Sequence, residues 1–477
     1  MPLLAKPLSR RQYRLLPLIA LLLGACATTP PDGDFTNQAT ALQHEFGNWA
    51  LEQNTFANAS NLNQLVSSAD LNNLITIALQ ANPDLQQTLI TLQIAQTEQR
   101  QVRGQALPQI GAGLQGVRSE SGSDGSISNR YTGSLTISWE ADIWAKLADK
   151  NRAAAKTVME KALLLQGARD TLVAQLCKQW LDLVAAQQQI ALQSQLVENL
   201  QLNQDFVDSR YRSGLSSRAD LDNIQTSLAS TEATLESSRE SLKQAQRALS
   251  TLLGGYRPEP SQLPQKYPNI LPPLLALPPQ TLARRPDLQA AFAAIEASAF
   301  QRKAAYKDML PQFSLSAALE DVANTPSRAL LTNPLWSLLG QLTAPLYQGG
   351  QLKAAADIAA LQEAQRYQAY RATLLTAVNE VEDTLSIEQS LQRQQQLIGN
   401  AVANAARNLG NYQQKYRAGL IDMLDLLTVQ QQTFDLLLKQ NELQRQRLTN
   451  RIDLALALGL GWEAPAPAQT TVLETDL

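Results

Sequence analysis

The chain has 477 residues, a formal net charge of −3, 17% charged and 5% aromatic residues, and on length alone would hold two to four ordinary domains. That balance, with no basic stripe, excludes nucleic acid as the expected partner. Gln, Ala, Leu and Asn fill long stretches poor in Gly and Pro, the composition of extended, wet-faced helices; with one histidine, His44, no Gly-rich phosphate loop and no G-x-S-x-G, neither a catalytic site nor a metal site is expected.

Residues 1–25 read as a signal peptide: Lys6, Arg10, Arg11 and Arg14 precede a short apolar run, residues 15–23, too short to span a bilayer. The run ends Leu23-Gly24-Ala25-Cys26, which resembles a bacterial lipobox, and Ala25-Cys26-Ala27 also fits an ordinary A-x-A cleavage site. The lipobox reading makes Cys26 the lipidated mature N-terminus, so a covalent lipid is the one expected prosthetic group. Ala27 stands where, in signals of that kind, an aspartate favours inner-membrane retention. Cys177 is the only other cysteine, which rules out a disulfide framework.

After a segment over 26–61, the chain repeats itself. Ala81-Asn82-Pro83-Asp84-Leu85 matches Arg284-Arg285-Pro286-Asp287-Leu288, and the same offset aligns Leu107-Pro108-Gln109 with Leu310-Pro311-Gln312. After a two-residue shift, Tyr211-Arg212-Ser213-Gly214-Leu215 matches Tyr416-Arg417-Ala418-Gly419-Leu420, Asp220 matches Asp425, and Leu253-Gly254 matches Leu458-Gly459. The organisation is therefore a first repeat over 62–257, a linker over 258–280 whose eight prolines forbid a helix, a second repeat over 281–461 and a tail over 462–477.

Within each repeat the expected order is helix, two strands, long helix, tip turn, helix. The pattern predicts one helix over 71–106 ended by Pro108, with a counterpart over 282–310. Strands are expected at 110–117 and 131–139, and at 313–319 and 335–346, each pair around a polar or Pro-containing loop, with the modest alternation of a barrel wall. From Leu147 to Arg212 there is one Gly and no Pro, a stretch that as helix reaches roughly 100 Å. Leu176, Leu183, Ile190 and Val197 recur every seven residues, as do Leu221, Leu228, Leu235 and Leu242, and Leu391, Ile398, Ala405 and Tyr412. These are coiled-coil seams between otherwise polar faces, a pattern suited to the wall of a water-filled tube.

Leu74-Ile75 with Asn82-Pro83-Asp84-Leu85, Trp139-Glu140-Ala141-Asp142-Ile143-Trp144-Ala145-Lys146, and the two tips each with Asp six residues past the Gly together resemble the bacterial outer membrane factors, the TolC/OprM-like family. Within that family the likeness is to the lipoprotein, NodT-like branch that serves RND-type efflux systems, and it covers nearly the whole mature chain. Ala145 stands where that motif usually has Gly. The resemblance implies a TolC-like trimer of mixed class, α with a membrane β-barrel: each subunit gives four strands to a shared 12-stranded barrel and its helices to a periplasmic α-helical barrel. It implies an outer-membrane channel subunit of a tripartite pump, a passive exit duct that docks a periplasmic membrane-fusion (adaptor) protein and, through it, an inner-membrane RND-type pump. Four strands have open edges that lipid does not tolerate, so closure by neighbouring subunits also answers a physical requirement.

The resemblance places adaptor docking at Tyr211, Arg212, Gly214, Leu215, Arg417, Gly419 and Leu420, and a periplasmic aperture at Asp422, Asp425, Asp220 and Tyr416. Gly214 and Gly419 also fit helix ends that need a left-handed residue. Threefold symmetry turns Asp422 and Asp425 into carboxylate rings, while an acid in a helix's first turn also answers the helix dipole. In the resembled channels an acid of the first tip meets a tyrosine and an arginine of the second; Asp220 and Tyr416 hold the first two places, Ile421 stands in the third, and Arg417 or Arg218 is the expected substitute. Trp139 and Trp144 suit either an interfacial girdle or packing at the strand-to-helix joint. The rival from another class is a periplasmic coiled-coil lipoprotein, a structural spacer or adaptor, which has no use for strand pairs at matching places in both halves.

Overall fold

A computed structural model describes residues 35–44, 59–66, 68–122, 125–259, 262–273 and 278–462; the signal peptide and Cys26 lie outside them. In chain order the elements are α1 (Phe35–His44), α2 (Leu62–Leu65), α3 (Ala69–Ala81), α4 (Pro83–Gly104), β1 (Gln109–Glu120), β2 (Ile127–Ala141), α5 (Lys146–Arg212) and α6 (Arg218–Leu252). There follow α7 (Pro278–Arg284), α8 (Pro286–Lys307), β3 (Gln312–Ala323), a 3-10 turn at Pro326–Ala329, β4 (Leu335–Thr343), α9 (Gln351–Arg417) and α10 (Met423–Ala457). The start of α7 falls inside the stretch expected to be non-helical, because prolines are tolerated in a helix's first turn, and the helix expected over 282–310 is split before Pro286. The duplication is exact in length where the helices are long: α5 and α9 have 67 residues each, α6 and α10 35 each.

Two compact units divide the chain, one drawing on residues 1–42, 92–161 and 290–371, the other on 43–91, 162–289 and 372–477. The first holds the sheet. Its four strands form an antiparallel meander in the order β1-β2-β3-β4, so among the described residues β1 and β4 each pair on one side only. The register sorts side chains by face, because residues directly opposite each other point the same way. Ile110, Ala112 and Leu114 lie opposite Ile137, Leu135 and Gly133, and Trp139, Ile137 and Leu135 lie opposite Leu315, Ala317 and Leu319, which continue to Gly340, Leu338 and Trp336. The other face carries Gln109, Gln115, Thr132, Ser134, Thr136, Ser138, Ser314, Ser316, Glu320, Ser337 and Gln341, with Val117, Val322, Leu335 and Leu339 as apolar exceptions. Ile110 is 71% exposed, Trp336 77% and Leu338 68%, so no described residue covers the apolar face there.

The strands outrun the sequence expectation. Antiparallel pairing continues to Glu120↔Ile127 although Arg118, Ser119, Ser128, Asn129 and Arg130 carry no apolar alternation to announce it; the backbone ladder sustains it, helped by a cross-strand hydrogen bond between the Ser119 and Ser128 hydroxyls at 2.9 Å. Conversely β4 stops at Thr343, two residues before Pro345, which has no N–H to give a ladder. Leu346 and Tyr347 follow it, 94% and 88% exposed.

Each residue of the Trp139–Lys146 segment builds the strand-to-helix joint. The Trp139 indole N–H donates to the Ala106 carbonyl at 3.0 Å and that of Trp144 to the Pro311 carbonyl at 2.6 Å, which favours packing over a girdle role. Asp142 accepts from the backbone N–H groups of Leu147 and Ala148 at 3.0 and 2.7 Å, satisfying orphan donors of α5. Glu140 pairs with Lys146 at 2.7 Å, and Lys307 reaches Asp149 at 2.5 Å. Ala145 sits at φ 57, and Gly350, which likewise stands immediately before its 67-residue helix, at φ 81. The turn therefore needs a left-handed residue in both halves, and Ala145 bears the strain that glycine avoids.

In the second unit the first expected helix breaks in two. Pro83 drives the preceding residue out of the α region, and Asn82 adopts φ −66, ψ 122. Its side chain then accepts from the Leu85 N–H at 3.0 Å, starting α4, and donates to the Leu252 carbonyl at 3.0 Å, the end of α6. Arg285 repeats the tie: its guanidinium donates to the Ala457 carbonyl at 3.1 Å while pairing with Asp287 and Glu380, each at 2.8 Å. Gly254 and Gly459 end the last helix of each repeat at φ 67 and 69; a Cβ on Gly254 would stand 2.3 Å from the Ala81 carbonyl oxygen. The coiled-coil seams are buried or half-buried along their length: Leu176 and Leu183 are fully buried, Val197, Leu221, Leu235 and Leu391 are buried, and Ile190, Leu228, Leu242, Ile398, Ala405 and Tyr412 are half-buried. Cys177 is buried on α5, which pushes its thiol up to about 12.

These two left-handed positions predict opposite outcomes. Ala145→Gly should stabilise by about 1 kcal/mol and Gly254→Ala should destabilise by about 2–3 kcal/mol, read as shifts of the denaturation midpoint in opposite directions.

Candidate functional site

The site residues gather where α5 meets α6 and α9 meets α10, all in the second unit. Both turns are built alike. The Leu215 N–H donates to the Arg210 carbonyl at 2.8 Å and that of Gly214 to Tyr211 at 3.0 Å; Leu420 and Gly419 donate to Lys415 and Tyr416 at 2.9 and 3.0 Å. This is the paired-bond helix stop that a left-handed glycine allows, and Gly214 and Gly419 have φ 73 and 74. Each stop leaves a leucine projecting: Leu215 is 67% and Leu420 73% exposed. Tyr211, Arg212 and Arg417 are exposed beside them.

The returning helices start with side-chain caps. On α6, Ser217 and Asp220 form a reciprocal capping box, the Asp220 N–H donating to Ser217 at 3.1 Å and the Ser217 N–H to the Asp220 carboxylate at 2.9 Å. The Ser216 and Ser217 hydroxyls donate to the same carboxylate at 2.9 and 2.8 Å. These bonds hold the Asp220 carboxyl below its usual range, the Ser217 backbone N–H foremost, then the two hydroxyls and the nearby Arg210 charge. On α10 the cap is Asp422, which accepts from the Asp425 N–H at 2.9 Å. Asp422 and Asp425 are both exposed, so Asp422 caps the helix, Asp425 stands in its first turn, and both offer charge to solvent.

Beneath the turns, one apolar cluster joins all four helices: Leu200 and Val207 of α5, Leu221 and Ile224 of α6, Tyr416 of α9, and Met423, Leu426 and Phe434 of α10. Ile421 packs against it, which explains an apolar residue in the place where the resemblance expects arginine. Tyr416 is 7% exposed, whereas its counterpart Tyr211 is 39% exposed. Burial pushes the Tyr416 hydroxyl above its usual value, with the Asp220 charge adding and the Arg210 charge opposing.

Among the described residues the Tyr416 hydroxyl makes no hydrogen bond to Asp220, whose Oδ2 accepts from Ser216 and Ser217. Neither expected substitute cation fills the gap: Arg218 pairs with Asp222 at 3.0 Å, and Arg417 is in the exposed last turn of α9. The cation at the centre is Arg210, its guanidinium carbon 5.8 Å from the Phe206 ring and 5.9 Å from the Tyr416 ring. Sequence reading missed it because its partner lies more than 200 positions away; the only local signal was Phe206 four residues earlier on the same helix face.

An amphipathic, unclosed strand meander joined to duplicated coiled-coil hairpins defines a protomer of an outer-membrane channel. The family model described as outer membrane efflux protein matches residues 74–255 and 277–460, and the chain belongs to that family. It is an outer-membrane efflux channel component. It is 27% identical to outer membrane protein OprJ of Pseudomonas aeruginosa over 94% of this chain and 95% of that one. To the pyoverdine export outer membrane protein OpmQ of Pseudomonas putida it is 26% identical, over 84% and 88% of the two chains. The crystal structure of the open state of the Neisseria gonorrhoeae MtrE outer membrane channel shares the fold with a TM-score of 0.78 at 21% identity, covering 87% of this chain and 95% of that one.

Asp220 gives a pH-dependent prediction. A carboxylate whose folded value is depressed stabilises above the ordinary carboxylate range, and the contribution is lost as pH falls through the folded value. Asp220→Ala should speed hydrogen exchange at residues 213–222 at neutral pH, consistent with a lost cap of about 1 kcal/mol, and the difference from wild type should shrink on acidification; a difference that grows would refute the assignment.

Proposed function

We propose that the chain assembles as a homotrimer whose subunits close one 12-stranded barrel, four strands from each, and that this trimer is the passive exit duct of a tripartite pump. The observation that carries the reading is the sheet. Its apolar face is uncovered, its opposite face is polar, and both edges are open, an arrangement that suits lipid outside, water inside and a neighbour at each edge. Strands of 12, 15, 12 and 9 residues are of the length that tilted strands need to cross a bilayer. Acyl chains on Cys26 anchor the subunit further. Cargo arrives from an inner-membrane RND-type transporter through a periplasmic adaptor, and the duct does no chemistry of its own.

The adaptor docks at the tips through Leu215 and Leu420, with Tyr211, Arg212, Arg417 and the two glycines shaping the surface around them. Two matched turns per subunit offer six matched sites per trimer. Repeated around the threefold axis, Asp422 and Asp425 ring the periplasmic entrance and favour cations there, with Asp220 and Tyr416 behind them.

Planar-bilayer conductance and native electrophoresis of the purified protein test the assembly: conducting trimers are expected, whereas a non-conducting monomer returns the spacer reading. Within that assay Asp425→Asn should lower the cation-to-anion permeability ratio. Asp422→Asn should lower it too while leaving the helix start intact, since asparagine caps as well as aspartate.

A further inference from the structure

The two tips of the subunit are built alike but are not wired alike. Arg210 and Lys415 hold matching positions. Lys415 stays on its own helix, its ammonium 5.5 Å from the Tyr412 ring. Arg210 instead reaches across to the second hairpin: its guanidinium is over the Tyr416 ring as well as over Phe206, and those rings meet edge-to-face, centroids 5.9 Å apart at 67°. The same guanidinium donates to the Leu215 carbonyl at 3.2 Å, so one side chain braces the first turn and grips the second hairpin. A planar guanidinium suits this position because it can stack on rings while its edge N–H groups donate.

Resting on the channel reading above, we propose that Arg210 is a positioning residue that fastens the first tip of each subunit to the second through Tyr416, making the two tips one body. The grip is one-sided by construction: Tyr416 is buried and Tyr211, its counterpart, is exposed. Ile421 packs into the apolar cluster under the turns, so the cation that ties the tips comes from the first hairpin, and its charge also bears on Asp220. Movement of one hairpin past the other must break the ring contact first.

Four proteins test this in bilayers: Arg210→Gln, Tyr416→Leu, the double variant, and Arg239→Gln as a control on the exposed face of α6. Arg210→Gln and Tyr416→Leu should each raise the open fraction about tenfold, the factor that ~1.4 kcal/mol of lost ring contact represents. The double variant should add nothing further, and the control should match wild type. Tyr416→Phe, which keeps the ring, should recover most of the closure that Tyr416→Leu loses. An Arg210→Gln trimer with wild-type opening, or single effects that multiply in the double variant, overturns the proposal.

A second measurement does not depend on conduction. Spin labels at Ser213→Cys and Ala418→Cys, in a Cys177→Ala background, report the distance between the tips. Arg210→Gln should broaden that distribution; an unchanged distribution overturns the proposal. If wild type itself conducts no ions, the channel reading fails while the distance measurement still decides whether Arg210 joins the tips.

Discussion

Backbone groups that cannot go unpaired in lipid impose the constraint on which everything else depends. Four strands with two free edges do not satisfy it, and among the described residues no element pairs with either edge. The apolar face would be a liability on a protein in water, yet β2 and β3 keep the alternation from Gly133 to Trp139 and from Phe313 to Glu320, and it breaks only toward the far end, at Asp321 and Val322. The sheet makes sense as a segment of a larger closed wall, and the helices continue from it under the control of a short joint. There Asp142, Trp139 and Trp144 spend their side chains on backbone groups of the joint, so the direction of α5 is set by hydrogen bonds before any coiled-coil contact is made.

The duplication gives the molecule two copies of every device and freedom to specialise one of each. Asn82 and Arg285 both tie the start of a repeat to its last helix, one with an amide, the other with a guanidinium that also holds Asp287 and Glu380. Ser217 and Asp422 both cap a returning helix, one uncharged and one charged. Gly350 takes a left-handed turn without strain where Ala145 takes it with strain. The copies agree where backbone geometry is at stake and diverge where side-chain charge is.

Most of the fold was legible because it is written in local or periodic signals: heptad leucines, a Gly at each tip, a proline-rich joint between repeats. The break at Asn82 was missed although Pro83 announced it, because the apolar spacing runs unbroken through the proline and periodicity outvoted backbone sterics. The strand ends were missed for the opposite reason, since Ser119, Asn129 and Arg130 extend a ladder that needs no apolar side chains. At the tips the sequence revealed the glycines, the acids and Tyr416. It hid Arg210, because an arginine four residues from a phenylalanine looks like any solvated helix face until a distant helix supplies the second ring.

Each repeat has its entry bonded to its own exit: Asn82 reaches the end of α6 and Arg285 the end of α10. A single ancestral unit of this design would already have been a self-sealed stave, able to stand in a ring beside identical copies. Two such units in one chain each keep that seal while no longer being identical, so neighbouring staves can carry different side chains at their tips.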